Sequence, residues 1–176
     1  VANADNPGTM DALRGLPRCT FGFAPESDCL ADNLTSNRGR PDFDVVVGGD
    51  LYAHLSLRVA GMHNVYNALA AAAAAYTLGI SGKAVRQGLE GFFGAGRRFE
   101  FKGQFNGAKI YDDYAHHPAE LHALLDMART LGYERVICAF QPHTYTRTKA
   151  LFDDFVRELK AADLVVISPE REIRAV

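Results

Sequence analysis

Cysteine is scarce in this sequence, and what there is forms no pattern. Cys19, Cys29 and Cys138 are an odd, scattered set without metal-ligand spacing. That excludes a disulfide framework and makes a reducing, cytoplasmic setting the expectation. Long apolar runs are lacking too. No uncharged run near twenty residues is apolar throughout and none reads as a signal peptide, so no membrane-spanning helix is expected. Nor is there an excess of one charge. With 19 Lys and Arg against 21 Asp and Glu, the net charge of −2 offers no basic field for nucleic acid or an anionic membrane. Finally, no Gly-x-x-x-x-Gly-Lys-Thr/Ser occurs in the 176 residues, so that phosphate-cradling loop is missing from them.

What is present is concentrated after the apolar Ile110. Tyr111-Asp112-Asp113-Tyr114-Ala115-His116-His117-Pro118 packs carboxylates, phenols and imidazoles into the place where a strand should end and a helix begin. Pro118 suits the first turn of a helix, where its missing N–H costs nothing. Capping alone would account for Asp112 or Asp113 taken singly, and paired histidines are often surface residues. Tyr114 and the histidines add nothing to a cap. The octet as a whole therefore reads as a site for a phosphorylated ligand, at the sheet edge where helix N-termini offer free N–H donors.

Periodicity organises the rest. With 48% hydrophobic residues the chain can bury a real core and hold one or two domains. Val1-Ala2-Asn3, followed by Asp5-Asn6-Pro7-Gly8, reads as the tail of a strand whose partners are absent, so a fragment is expected. The pattern predicts a short helix over 9–16 and strands over 19–23 and 29–34. A hairpin is expected across Gly48-Gly49-Asp50, pairing 43–47 with 51–59. Asn64 to Leu78 is almost continuous alanine, a buried helix, and Ser81 should cap a second helix through Leu89. Gly91, Gly94 and Gly96 then mark a linker. Beyond it come a hairpin (99–105 with 108–111), helix 118–131, strand 135–140, helix 148–161 and strand 164–168. That is a βαβ pattern with a parallel sheet. Gln141-Pro142-His143-Thr144-Tyr145-Thr146-Arg147-Thr148 follows its strand as the first octet follows its own, which makes one shared site the expectation. Thr148 as an ordinary helix cap is the simpler reading of that loop.

These residues carry a resemblance. Gly61-Met62-His63-Asn64-Val65-Tyr66-Asn67-Ala68, Gly96-Arg97-Arg98-Phe99-Glu100, Asp112-Asp113-Tyr114-Ala115-His116-His117-Pro118 and Phe140-Gln141-Pro142-His143 with Tyr145-Thr146-Arg147-Thr148 occur in that order. Nearly end to end, the chain resembles the Mur ligase family. The resemblance implies an α/β fold. Residues 1–94 would be the end of the central ATP-binding domain, and 95–176 a Rossmann-like C-terminal domain with a mostly parallel sheet that receives the amino acid. The narrower motifs imply the activity that joins L-alanine to UDP-N-acetylmuramate in peptidoglycan synthesis. ATP activates the carboxylate as an acyl phosphate, with Mg2+ held mostly by residues outside this chain. Without the P-loop, residues 1–176 alone should be inactive. A ligase of the same family joining a whole peptide to the same sugar nucleotide is the near alternative, and a non-catalytic nucleotide-binding module the distant one.

By the same resemblance, Asn64 and Asn67, at i and i+3 on one helix face, would bind adenine. Arg98, aided by Arg97, would reach the nucleotide, and Asp113 would accept from the ribose hydroxyls. Capping is the simpler account of Asn64. Tyr114, His116 and Arg147 would form the amino-acid end of the site, with the Arg147 fork suited to the alanine carboxylate. His116 would contact that carboxylate or the transferring phosphate, and its neutral form is able to take a proton. His117 would cap or brace the loop, and His143 would support Arg147. Two departures stand out. Thr144 replaces an arginine common among relatives, and Ser168-Pro169 passes straight to Glu170-Arg171-Glu172. A metal site of His116, His117 and His143 is weak, since adjacent histidines rarely point at one ion.

Overall fold

The chain divides into two units, Val1–Phe93 and Gly94–Val176, and the computed structural model describes residues 1–168. The departure at Pro169–Glu172 lies outside the described residues.

In the first unit two short strands, β1 (Ala2–Asn3) and β2 (Thr20–Gly22), run parallel to each other and to β3 (Cys29–Asn37). Antiparallel β4 (Arg40–Val47) and β5 (Asp50–Ser56) complete a five-stranded sheet in sequence order. The turn at Gly48-Gly49 lies where the sequence predicts it, with both φ positive (61° and 88°), the geometry whose twist suits the flanking strands. A second such turn, Arg38-Gly39, was not predicted. The register of β3 shifts between Asp32 and Thr35, which breaks the alternation and hides the strand's second half. Helix α1 (Pro7–Ala12) also starts earlier than the periodicity suggests. Asn6 Oδ1 accepts from Thr9 N at 2.8 Å and Pro7 occupies the first turn, so Asn-Pro acts as a helix start rather than a plain turn.

Helices α2 (Met62–Thr77) and α3 (Gly82–Glu90) pack on this sheet. Along α2, Val65, Ala68, Leu69, Ala72 and Ala73 are buried, and the small alanines let the helix approach the strands closely. They meet Phe43, Val45 and Leu55, all wholly buried. Each large apolar side chain so buried contributes about 1.5–3 kcal/mol. Ser81 caps α3 through Ala84 N. A Cβ on Gly82 would lie 1.7 Å from the Tyr52 carbonyl oxygen, so the start of α3 touches the backbone of β5. Tyr52 in turn donates its hydroxyl proton to the Ile80 carbonyl.

In the second unit β6 (Glu100–Phe105) and β7 (Ala108–Asp112) form the predicted hairpin, turning at Asn106-Gly107. Helix α4 (Pro118–Thr130) follows, then β8 (Ile137–Phe140), α5 (Tyr145–Ala150), α6 (Phe152–Leu159) and β9 (Leu164–Ile167). β8 and β9 pair in parallel, with Ile137 opposite Leu164 and Phe140 opposite Ile167. Leu121, Phe140, Phe155 and Leu159 form the core between them and the helices. Arg129 closes the far end: Nη1 and Nη2 donate to the Asp163 carboxylate at 2.9 and 3.0 Å, and Asp163 also accepts from Val136 N at 2.7 Å.

Two features of this unit differ from expectation. The single helix over 148–161 is two helices, broken at Leu151 (φ −116°, ψ 24°). Leu151 turns in to pack on the core, as do Phe155 and Leu159 of α6, whereas α5 buries nothing. The hairpin is also not hydrogen-bonded into the parallel sheet among the described residues. A register shift between Phe101 and Gly103, with Gly103 at φ 146°, marks a bulge in this two-stranded ribbon.

Candidate active site

The first polar loop is built from its backbone outward. Asp113 does not cap α4. Its Oδ1 accepts from Ala115 N at 2.7 Å and its Oδ2 from Phe99 N at 2.8 Å, which ties the loop to the segment before β6. Tyr114 N donates to the Arg97 carbonyl at 2.8 Å. The Arg97 guanidinium lies over the Tyr114 ring, 4.5 Å from its centroid, with Nε 3.7 Å from Asp112 Oδ2. The His116 ring packs beside the same phenol, with ring centroids 4.9 Å apart. Arg97 and Phe99 both take left-handed φ values, 58° and 46°, and Phe99 stacks on Tyr111 at 4.1 Å.

His117 is the cap of α4. Its Nδ1 accepts from Ala119 N at 3.3 Å, so one of the histidines does serve a cap after all. The reciprocal half comes from Glu120, whose Oε2 accepts from His116 N at 2.9 Å and His117 N at 3.2 Å. Burial disfavours the Glu120 carboxylate, but the His116 and His117 N–H groups and the nearby His116 and Arg98 charges outweigh it and hold the carboxyl below its usual value. His116 Nδ1 lies 2.8 Å from the Tyr114 carbonyl. A carbonyl only accepts, so Nδ1 carries a proton in this contact.

The second loop meets the first through Arg147. Its Nη1 donates to the His116 carbonyl at 3.4 Å, although β7 and β8 belong to different sheets. Tyr114, His116 and Arg147 thus gather in one place. Arg98 lies close enough to Glu120 to act on its charge. His143 is exposed and makes no hydrogen bond to Arg147 among the described residues. Thr148 is not the cap of α5: that position is Thr144, and the Thr148 hydroxyl donates to the Thr144 carbonyl at 2.9 Å. A cavity of about 470 Å³ lined by Pro142, Tyr145, Thr148, Lys149 and Phe152 lies on this loop and includes none of the candidate residues.

In the first unit Asn64 and Asn67 share a face of α2. Asn64 Nδ2 donates to the Ala60 carbonyl at 2.7 Å, and Asn67 Nδ2 donates to Asn64 Oδ1 at 3.2 Å. The helix cap itself is Gly61, so Asn64 is not the capping residue. Asn67 is exposed, and its Oδ1 has no partner among the described residues. An amide so placed can both donate to and accept from a base edge, with Asn64 fixing it.

Glu120 is the residue of this loop that sequence reasoning missed. The usual capping-box signature begins with Ser or Thr; here it begins with His117, which conceals the Glu three positions on. The cysteines are all free, and burial pushes the Cys29 thiol up to about 11. Among the described residues no group of three His, Cys, Asp or Glu is placed to hold a metal ion, and no helix is long and apolar enough to cross a membrane.

Fold and loops together define a mixed α/β chain with polar residues gathered beyond the carboxyl ends of strands, where such folds place their ligands. Residues 1–75 match the Mur ligase middle domain and residues 97–176 the Mur ligase, glutamate ligase domain. The UDP-N-acetylmuramate–L-alanine ligase of Caldanaerobacter subterraneus subsp. tengcongensis is 42% identical over 171 residues, covering 96% of this chain and 37% of that protein. The Clostridium novyi enzyme of the same name is 44% identical over 171 residues, with the same coverage of each. The solved structure of UDP-N-acetylmuramate-alanine ligase from Thermotoga maritima superposes with a TM-score of 0.74 at 32% identity, covering 88% of this chain and 34% of that one. The chain belongs to the Mur ligase family. It spans little more than a third of the length of the relatives it matches.

Proposed function

We propose that this chain is part of an ATP-dependent ligase that joins L-alanine to UDP-N-acetylmuramate through an acyl phosphate. The observation that carries the reading is the identity of 42–44%, spread over 96% of the chain, to ligases of that name. The geometry supports it. Residues 1–94 contribute the end of the ATP-binding domain and 95–176 the amino-acid-binding domain. Asn67, braced by Asn64, takes the adenine edge. Arg98 reaches the nucleotide, and Asp113, already fixed by two backbone N–H groups, keeps lone pairs for the ribose hydroxyls. ATP supplies the phosphoryl group and Mg2+ accompanies it, with the metal's ligands mostly in the part of the protein outside this chain.

The amine must be held close to the acyl carbon and deprotonated, with water kept away. Arg147 supplies a planar fork for the alanine carboxylate. Neutral His116 offers Nε2 at the same place, to contact the transferring phosphate or accept a proton. Tyr114, in contact with both the Arg97 guanidinium and the His116 ring, adds an aromatic surface beside them. The reaction would take place in the cytoplasm, where the sugar nucleotide and ATP are found together.

Full-length enzyme should release phosphate from ATP only when both UDP-N-acetylmuramate and L-alanine are present. Strict dependence on a peptide in place of L-alanine would overturn the reading in favour of the peptide-joining relative. Residues 1–176 alone should release none, because no Gly-x-x-x-x-Gly-Lys-Thr/Ser is among them.

A further inference from the structure

Glu120 is used by neither the nucleotide nor the amino-acid assignments above, yet it holds the backbone of two residues of the loop. One oxygen, Oε2, receives His116 N at 2.9 Å and His117 N at 3.2 Å and lies 3.4 Å from His116 Nδ1. The side chain is a third exposed, at 34%, so it sits at the wall of the site rather than in the core. Its grip on the His116 peptide matters twice over. The ring of His116 is aimed by its Nδ1 contacts to Tyr114 O and Glu120. The carbonyl of His116 is the group to which Arg147 donates from the second loop. Moving the His116 peptide therefore moves the imidazole and the guanidinium together.

We infer that Glu120 is a positioning residue for amino-acid recognition, setting His116 and Arg147 at once through the His116 peptide unit. The inference rests on the ligase reading and assigns a further residue to that same site. Glu120 is a positioning residue because it acts on the substrate through other side chains. A helix cap with no other duty would behave differently on removal. It would lower the amount of folded enzyme, and so the maximal rate, while leaving both Michaelis constants alone. Loss of positioning raises the KM for L-alanine selectively, since Glu120 holds the His116 peptide by direct hydrogen bonds and acts on Arg98 only through its charge.

The test uses the full-length enzyme with each substrate varied in turn. Glu120→Ala should raise the KM for L-alanine roughly tenfold, equivalent to about 1.4 kcal/mol, with the KM for ATP within about twofold of wild type. Glu120→Gln keeps a side-chain oxygen for the two N–H groups and should recover most of the loss. Should Glu120→Ala not fold, Glu120→Asp carries the test, because its carboxylate falls one methylene short of the same N–H groups. An unchanged KM for L-alanine in the folded variant, or equal rises for L-alanine and ATP, would overturn the assignment.

A second readout is independent of turnover. In NMR spectra of the full-length protein without substrates, the Arg147 guanidinium resonance should shift in Glu120→Ala and return in Glu120→Gln; no shift overturns the coupling. If wild-type enzyme fails to use L-alanine, the ligase reading falls, while the Arg147 resonance still reports on Glu120.

Discussion

Replacing Arg147 with alanine is the sharpest probe of the proposed site, because its expected effects on binding and folding are so unequal. Arg147 is half-buried near the start of α5, a helix that buries nothing. Its guanidinium makes one long hydrogen bond, 3.4 Å to the His116 carbonyl, and no ion pair among the described residues. Removing it should therefore change stability by no more than about 0.5 kcal/mol, the range of ordinary surface substitutions. The same fork with a carboxylate across from it makes a charge-assisted pair worth about 1.5–3 kcal/mol. In the full-length enzyme that becomes a loss of roughly ten- to hundredfold in kcat/KM for L-alanine. The KM for ATP should hardly move. Arg147→Lys should recover only part, since it keeps the charge but loses the planar fork. Thr144 beside it supplies no charge to compensate. Steady-state kinetics with L-alanine and ATP varied separately, alongside a thermal melt, would measure all three quantities. An Arg147→Ala enzyme with wild-type dependence on L-alanine would refute the reasoning.

Asn67→Ala should act on the other substrate, raising the KM for ATP by roughly two- to tenfold, the worth of one neutral hydrogen bond, with L-alanine dependence intact; an unchanged KM for ATP removes Asn67 from the nucleotide site. Gly82→Ala should destabilise the first unit by about 1–3 kcal/mol through overpacking against the Tyr52 carbonyl, and an unaltered urea midpoint would contradict that close approach. The Thr20 backbone N–H, its hydroxyl and Arg18 hold the Asp28 carboxyl below its usual value against a smaller effect of burial. Its folded value is thus lower than its unfolded one, so its contribution is fully present above about pH 4 and is lost as pH falls through the folded value. Asp28→Asn should flatten the acid side of the stability curve of this chain, and an identical acid limb would count against the assignment.

Much of this architecture was legible in the residues. The alanine run of α2, the Ser81 cap, the Gly48-Gly49 turn and the strand–helix alternation after Gly96 each carry a local signal strong enough to survive packing. The convergence of the two polar loops was legible as well, although the assumed cause, a single sheet holding both strands, is not found among the described residues. Features set by nonlocal contacts were hidden. Leu151 breaks a periodic helix because the core draws it in, and periodicity cannot distinguish a bend from a continuation. The second half of β3 vanished behind a bulge. Glu120 escaped because its cap partner is a histidine, and a capping role stayed open for Asp113 because nothing local shows that Phe99 N–H will reach it.

Arg97 and Phe99 have a bearing on how this loop tolerates sequence change. Both hold a backbone conformation that costs an L-residue roughly 1–2 kcal/mol and costs glycine almost nothing. Selection for folding alone would drift such positions toward glycine. Side chains remain at both, and each has a face to serve: Arg97 over Tyr114, Phe99 on Tyr111. A library randomised at residues 97 and 99 and screened for stability should therefore enrich glycine. The same library screened for ligation should reject it, so the two screens would separate what the chain needs to fold from what it needs to work.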